Sequence, residues 1–179
     1  MSQFGLQRRL TGRRLAALRS KPRRSFGPGV TLLAMASARR SIEVDVPPER
    51  FFEVVRDYAR YPEFLPEVKA VTVGPRKGNE VEVTYRLDAR IKLIEFTLLH
   101  VETRPSRIEW RLVRGDLMKR DEGRWTLDPT PSGGTIATYA IELELLPRVP
   151  RGLEKALAEQ GLPAMLANFK SRAESVRSG

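Results

Sequence analysis

The run Pro47-Pro48-Glu49-Arg50-Phe51-Phe52-Glu53-Val54-Val55-Arg56-Asp57-Tyr58-Ala59-Arg60-Tyr61-Pro62-Glu63-Phe64-Leu65-Pro66 decides how the chain folds. It opens as a helix. Prolines suit a first turn, where the amide they lack would be unpaired anyway. Glu49 places negative charge near the positive end of the helix dipole. Phe51, Val54, Val55 and Tyr58 fall at i, i+3, i+4 and i+7, which is one apolar stripe. Pro62 predicts an end at or before Tyr61, because the residue preceding a proline is pushed out of helical angles. Phe64-Leu65-Pro66 then makes a short apolar second piece. A helix, a break and an apolar piece bend over something, either an ordinary core or a cavity.

Working outward, Ser41 to Val46 alternates polar and apolar residues, which predicts a half-buried strand before the helices. After them, Val68 to Val73 reads as a strand and Gly74 to Asn79 as a turn. Val81, Val83, Tyr85 and Leu87 alternate with polar neighbours, and Asp88-Ala89-Arg90 reads as a hairpin turn. The next strand, Ile91 to Val101, slips phase at Leu93-Ile94, which predicts a bulge there. Glu102 to Ser106 breaks the run. Ile108, Trp110 and Leu112 define another strand, Gly115 to Gly123 a charged loop, and Trp125 and Leu127 open the strand after it. Past the turn at Pro129 to Gly134, Ala137, Tyr139, Ile141, Leu143 and Leu145 face one way.

The final segment is helical from Pro150 or Gly152, with a kink or division at Gly161-Leu162-Pro163. Leu162, Met165, Leu166, Phe169, Ala173 and Val176 keep helical spacing beyond it. The order is strand, helix pair, about six strands and a long helix. Strands with one wet face and helices grouped together give an α+β fold with an antiparallel sheet.

The net charge of +10 is unevenly placed: residues 1–40 hold ten Arg/Lys and no acid, and setting these aside leaves 22 basic and 22 acidic residues in 41–179. A neutral domain carries no electrostatic footprint for DNA. The chain has no cysteine and one histidine, His100, which excludes disulfides, thiolate metal sites and multi-His metal sites. No cofactor motif is present. Asp57, Glu63, Glu67, Asp88, Glu95 and Glu102 read as solvated charges, and His100 as outward or partly buried. No apolar run is long enough to span a bilayer, and a reducing, cytoplasmic setting fits the cysteine-free chain.

The pattern Phe51-x-x-Val54-Val55-x-Asp57-x-x-x-Tyr61-Pro62-x-Phe64-Leu65-Pro66 resembles the polyketide cyclase/Coq10-like branch of the START-type (SRPBCC, Bet v 1-like) superfamily. Gly115, Leu117 or Met118, Gly123 and Trp125 match a second stretch of that family. The resemblance runs to about residue 176. It implies a helix-grip fold, a curved antiparallel sheet wrapped around a long C-terminal helix with an apolar cavity between them. The cavity wall it implies takes Phe52 and Tyr61 from the helix pair, Tyr85, Leu87, Trp110, Leu112, Trp125 and Tyr139 from the strands, and Leu166 and Phe169 from the last helix. Phe64, Leu65 and Met118 fall at its mouth. The same aromatic residues also fit plain core packing.

The function implied is non-catalytic binding of an apolar small molecule, such as a lipid, isoprenoid quinone or polyketide-like compound, with the membrane surface as a further partner. Coq10-type proteins favour a phenylalanine in the loop around Met118; its absence here speaks against a quinone. RatA-type relatives imply a ribosome or protein partner instead, and aromatase relatives a cyclase, which would need polar groups converging in the cavity. Expected organisation is a basic extension over 1–37 and one domain over 38–177. For the extension, four readings stand: translation from Met35, a transit-peptide-like leader, a secretory leader with Arg23-Arg24, or a basic arm for anionic lipid or RNA.

Overall fold

The computed structural model describes residues 35–89, 92–146 and 161–175. Residues 1–34 of the basic N-terminal segment, Arg90 and Ile91 of the expected turn and strand, the helix start expected at Pro150 or Gly152, and Val176 lie outside these residues, while Met35 to Ser37, expected in the extension, belong to the first strand. Strand β1 (Met35–Val44) leads into helix α1 (Pro48–Arg56), a 3-10 turn (Tyr58–Arg60) and helix α2 (Tyr61–Phe64). Six strands follow: β2 (Val68–Val73), β3 (Glu80–Asp88), β4 (Leu93–Thr103), β5 (Arg107–Gly115), β6 (Met118–Pro129) and β7 (Thr135–Leu145). Helix α3 (Leu162–Ser175) closes the described chain. All strands join one antiparallel sheet in the order β1-β7-β6-β5-β4-β3-β2. The sheet curves over α3 as in the helix-grip architecture expected from the sequence.

The helix pair differs in detail from its sequence reading. The break comes at Asp57, whose φ of −83° and ψ of 60° leave the helical region. Pro62 then sits in the first turn of α2 instead of ending a helix, where its missing amide is harmless. On α1 the fully buried residues are Phe51, Phe52 and Val55, with Val54 only partly covered. Two surfaces explain this: α1 packs on β6 and on α3, and Phe52 sits beneath Arg104, whose guanidinium is 5.6 Å from the ring centre.

Along β4 the expected phase slip is absent. Ile94, Phe96, Leu98, His100 and Glu102 are all buried at alternate positions, Thr97 is buried on the opposite phase, and Leu93 is exposed. The irregularity lies instead against β5, where the register steps between Thr97 and Leu98 and leaves Val113 over. The expected loop 115–123 is also mostly strand. Its charges are legible as a loop but act as cross-strand pairs: Lys119 with Glu144 at 2.8 Å, Arg120 with Glu142 at 3.1 Å. Such pairs cover the outer face of β6 and β7 while Met118, Asp121 and Trp125 turn inward. Tight turns fall where predicted, with Gly78 and Gly133 at φ of +63° and +86°, angles that glycine adopts without strain.

Candidate functional site

The inner face of the sheet, the helix pair and α3 do not meet completely. They leave a half-open cavity of about 270 Å³ between them. This is near the lower end for small-molecule sites. Nine of the thirteen sequence-predicted residues line it. Tyr61 and Leu65 come from the helix pair, Phe169 from α3, and Tyr85, Leu87, Trp110, Met118, Trp125 and Tyr139 from the sheet.

Four do not reach it. Phe52 is held under Arg104 on the far side of α1. Phe64 packs edge-on to Phe169, with ring centres 5.1 Å apart, and lies beneath Arg172. Leu112 stands at the bulge beside Gly115, where its Cδ1 fills the space a side chain would take. Leu166 is buried on the flank of α3, while Leu162, Met165 and Phe169, at i, i+3 and i+7, face the cavity.

Sequence reasoning missed the polar part of the wall. His100, expected outward or partly covered, is buried, because it follows Ile94, Phe96 and Leu98 at the inward phase of β4. Its Nε2 lies 3.0 Å from the Tyr85 hydroxyl, and the Tyr58 ring rests on it at 4.5 Å between ring centres. Nδ1 is walled off without a partner. Burial pushes the His100 pKa down to about 3, so the ring is neutral at ordinary pH. Glu102, expected on the wet face, is buried as well. It accepts hydrogen bonds from Arg56 (3.1 Å), Arg76 (2.8 Å) and the Tyr58 hydroxyl (3.1 Å), so it ties α1 and the 3-10 turn to the sheet.

Asp121 is the other missed residue. Reading 115–123 as loop hid it, although two-residue steps back from Leu127, Trp125 and Gly123 lead to it. It lines the cavity at 5% exposure, and one carboxylate oxygen accepts from Trp110 Nε1 at 2.9 Å. The other oxygen has no hydrogen-bond partner among the described residues. Burial, with a smaller push from Glu122, raises its pKa to about 6 despite the Trp110 bond. Burial and then the Asp121 charge raise the Tyr139 hydroxyl, which also lines the cavity. The Trp110 ring lies over Gly123, close to the Tyr139 ring at 5.1 Å between centres.

A raised acid stabilises the fold below its unfolded value and loses that contribution as pH rises through its folded value. For Asp121 the window runs from 3.8 to about 6. At about 1.4 kcal/mol per pH unit, keeping it ionised at pH 7.5 costs about 3 kcal/mol. Asp121→Asn is therefore expected to gain up to about 3 kcal/mol at pH 7.5 and to lose most of that gain at pH 4.5. Urea denaturation at the two pH values measures it; an equal gain at both would refute the assignment. His100 has the opposite sign, because its lowered pKa gives stability present above 6.5 and lost as pH falls toward about 3.

Sequence and structure comparisons agree with this architecture. Residues 35–174 match the family described as polyketide cyclase / dehydrase and lipid transport. Comparison with curated proteins finds no match. Among solved structures, a START superfamily protein from Mycobacterium smegmatis superposes with a TM-score of 0.70 at 20% identity, covering 78% of this chain and 98% of that one. The Zhui aromatase/cyclase from Streptomyces sp. R1128 gives 0.71 at 16% identity, covering 79% and 94%. A STAR-related lipid transfer protein from Xanthomonas axonopodis gives 0.65 at 16% identity, covering 77% and 85%. These likenesses carry the fold, and the family match spans β1 to the penultimate residue of α3. The chain with its helix pair, seven-stranded sheet and walled cavity thus belongs to the polyketide cyclase/dehydrase and lipid transport family.

Proposed function

We propose that this protein binds an apolar small molecule inside the cavity between sheet and α3, and carries or presents it without changing it. The observation behind the reading is the cavity itself: about 270 Å³ left open inside a wall of Tyr, Trp, Phe, Leu and Met side chains. Interiors normally close such space, because unfilled volume forfeits contacts on every side. Lipid-like and polyketide-like compounds both fit an apolar wall with few polar groups. We place this activity in the cytoplasm, which suits the cysteine-free chain.

Native mass spectrometry of protein purified without detergent, followed by extraction, is the test. A discrete co-purifying apolar molecule supports the reading; a consistently empty protein counts against it. Trp110→Ala is expected to lower retention about tenfold, since an aromatic wall contributes contact area and ring stacking. Retention at the wild-type level in a folded variant would remove Trp110 from the binding wall.

A cyclase or aromatase reading stands second. It requires polar groups converging inside the cavity, and Asp121 and Tyr139 supply them. The two readings separate on the fate of the bound compound: a carrier releases it unchanged, whereas a cyclising dehydrase releases it lighter by water.

A further inference from the structure

The charged groups that the described residues place on the cavity wall are of one sign. Among the described residues that line it, Glu67, Asp88 and Asp121 carry carboxylates, and none is lysine or arginine. Asp88 has Lys69 nearby at 3.8 Å. Asp121 has no such partner among the described residues: its one hydrogen bond there is to the neutral Trp110 indole, and its second oxygen accepts none from them. His100, the remaining titratable nitrogen of the wall, is neutral. A carboxylate at 5% exposure with no counter-charge among the described residues is destabilising when ionised, and a cation held in the cavity would offset that.

The surroundings indicate what that partner is. Asp121 is reached across aromatic rings: Trp110 bonds it, Tyr139 lies 5.1 Å from Trp110, and Trp125 lies 5.0 Å from Tyr139, measured between ring centres. Ring faces attract cations through their quadrupole. A carboxylate beside such faces favours an ammonium group, whose N–H bonds the free oxygen and whose substituents lie against the rings. The same wall repels an anionic head, which would be buried beside Asp121 with no positive group among the described lining residues.

We propose that the cavity selects a lipophilic amine, with its ammonium on the unpaired oxygen of Asp121 and its apolar body against Trp110 and Tyr139. This rests on the reading of the cavity as a small-molecule site and narrows its ligand class. An ionised Asp121 is needed. At pH 7.5 it is ionised, with Glu122 beside it on β6, Tyr139 on β7, Tyr85 on β3 and His100 on β4 as the titratable groups around it.

Calorimetric titration of the full chain with three probes of one skeleton tests the proposal: 2-(1-naphthyl)ethylamine, 2-(1-naphthyl)ethanol and 1-naphthylacetate. At pH 7.5 the amine is expected to bind about tenfold tighter than the alcohol, and the carboxylate weakest. In Asp121→Asn the amine should fall to the level of the alcohol, while the alcohol changes by no more than about twofold. The preference should also survive added salt, since a buried pair is screened little. Alcohol and amine binding equally, or an amine preference that persists in Asp121→Asn, would overturn the amine assignment and leave the binding site standing. Binding of none of the three would overturn both the assignment and the binding-site reading.

Discussion

Gly123→Ala is expected to cost about 4 kcal/mol and to disturb the cavity wall at the same time. A Cβ at position 123 would lie 2.2 Å from Trp110 Cζ2 and 2.5 Å from the carbonyl oxygen of Ala140. The ring could escape by swinging toward the cavity. Doing so breaks the 2.9 Å bond from Trp110 Nε1 to Asp121 and leaves both groups unpaired in a buried place. The carbonyl has no such escape, because it belongs to β7, which pairs with β6 over eleven register positions. Relieving the second overlap means opening the ladder between the two strands. Urea denaturation of Gly123→Ala, alone and with Trp110→Phe, separates the contributions. The double variant should recover only part of the loss. A single variant within about 1 kcal/mol of wild type would show that the strands yield more easily than their pairing implies.

Glu102→Ala comes next, with an expected loss of about 3 kcal/mol. The Glu102 carboxylate is the common acceptor for Arg56, Arg76 and Tyr58. Removing one partner of a buried ion pair is worse than never having built it, because the remaining charges are desolvated without compensation. Two details set the size here. Arg56 and Arg76 keep 23% and 37% side-chain exposure and can turn to water, which softens the effect. Tyr58 is 1% exposed and cannot, so its hydroxyl stays unpaired. Glu102→Gln, which keeps an acceptor for Tyr58, should lose about half as much as the alanine variant. Denaturation midpoints of the two variants at one pH decide it, and equal losses would assign the effect to charge alone.

Much of the fold was legible because its signals are local. Val81, Val83 and Tyr85 alternate cleanly, and all three are buried on one face of β3. The aromatic pattern of the helix pair carries the resemblance whose family the match over residues 35–174 shows. Errors arose where a local signal has two physical meanings. The charges at 119–122 read as a solvated loop, yet in a strand they are equally at home as cross-strand pairs with Glu142 and Glu144. His100 reads as outward or partly buried and Glu102 as wet because polar residues usually are, but each has a buried partner on another element, Tyr85 on β3 and Tyr58 on the 3-10 turn. Nothing in the local spacing of β4 shows that Tyr58 and Arg76 will arrive beside them. Whether the wall encloses space, and which side chains reach it, depends on how far α3 stands from the sheet. Leu166 and Met165 look alike on a helical stripe, and only the second lines the cavity.

The chain contains two tryptophans, and both stand on the cavity wall. Its intrinsic fluorescence is therefore emitted entirely from the surface that an occupant would touch. Trp110 adds a second property: its indole N–H is bonded to Asp121, so its emission is expected to shift as that carboxyl gains or loses charge. The protein thus carries a label-free gauge of whether the chamber is filled, and of the protonation of Asp121.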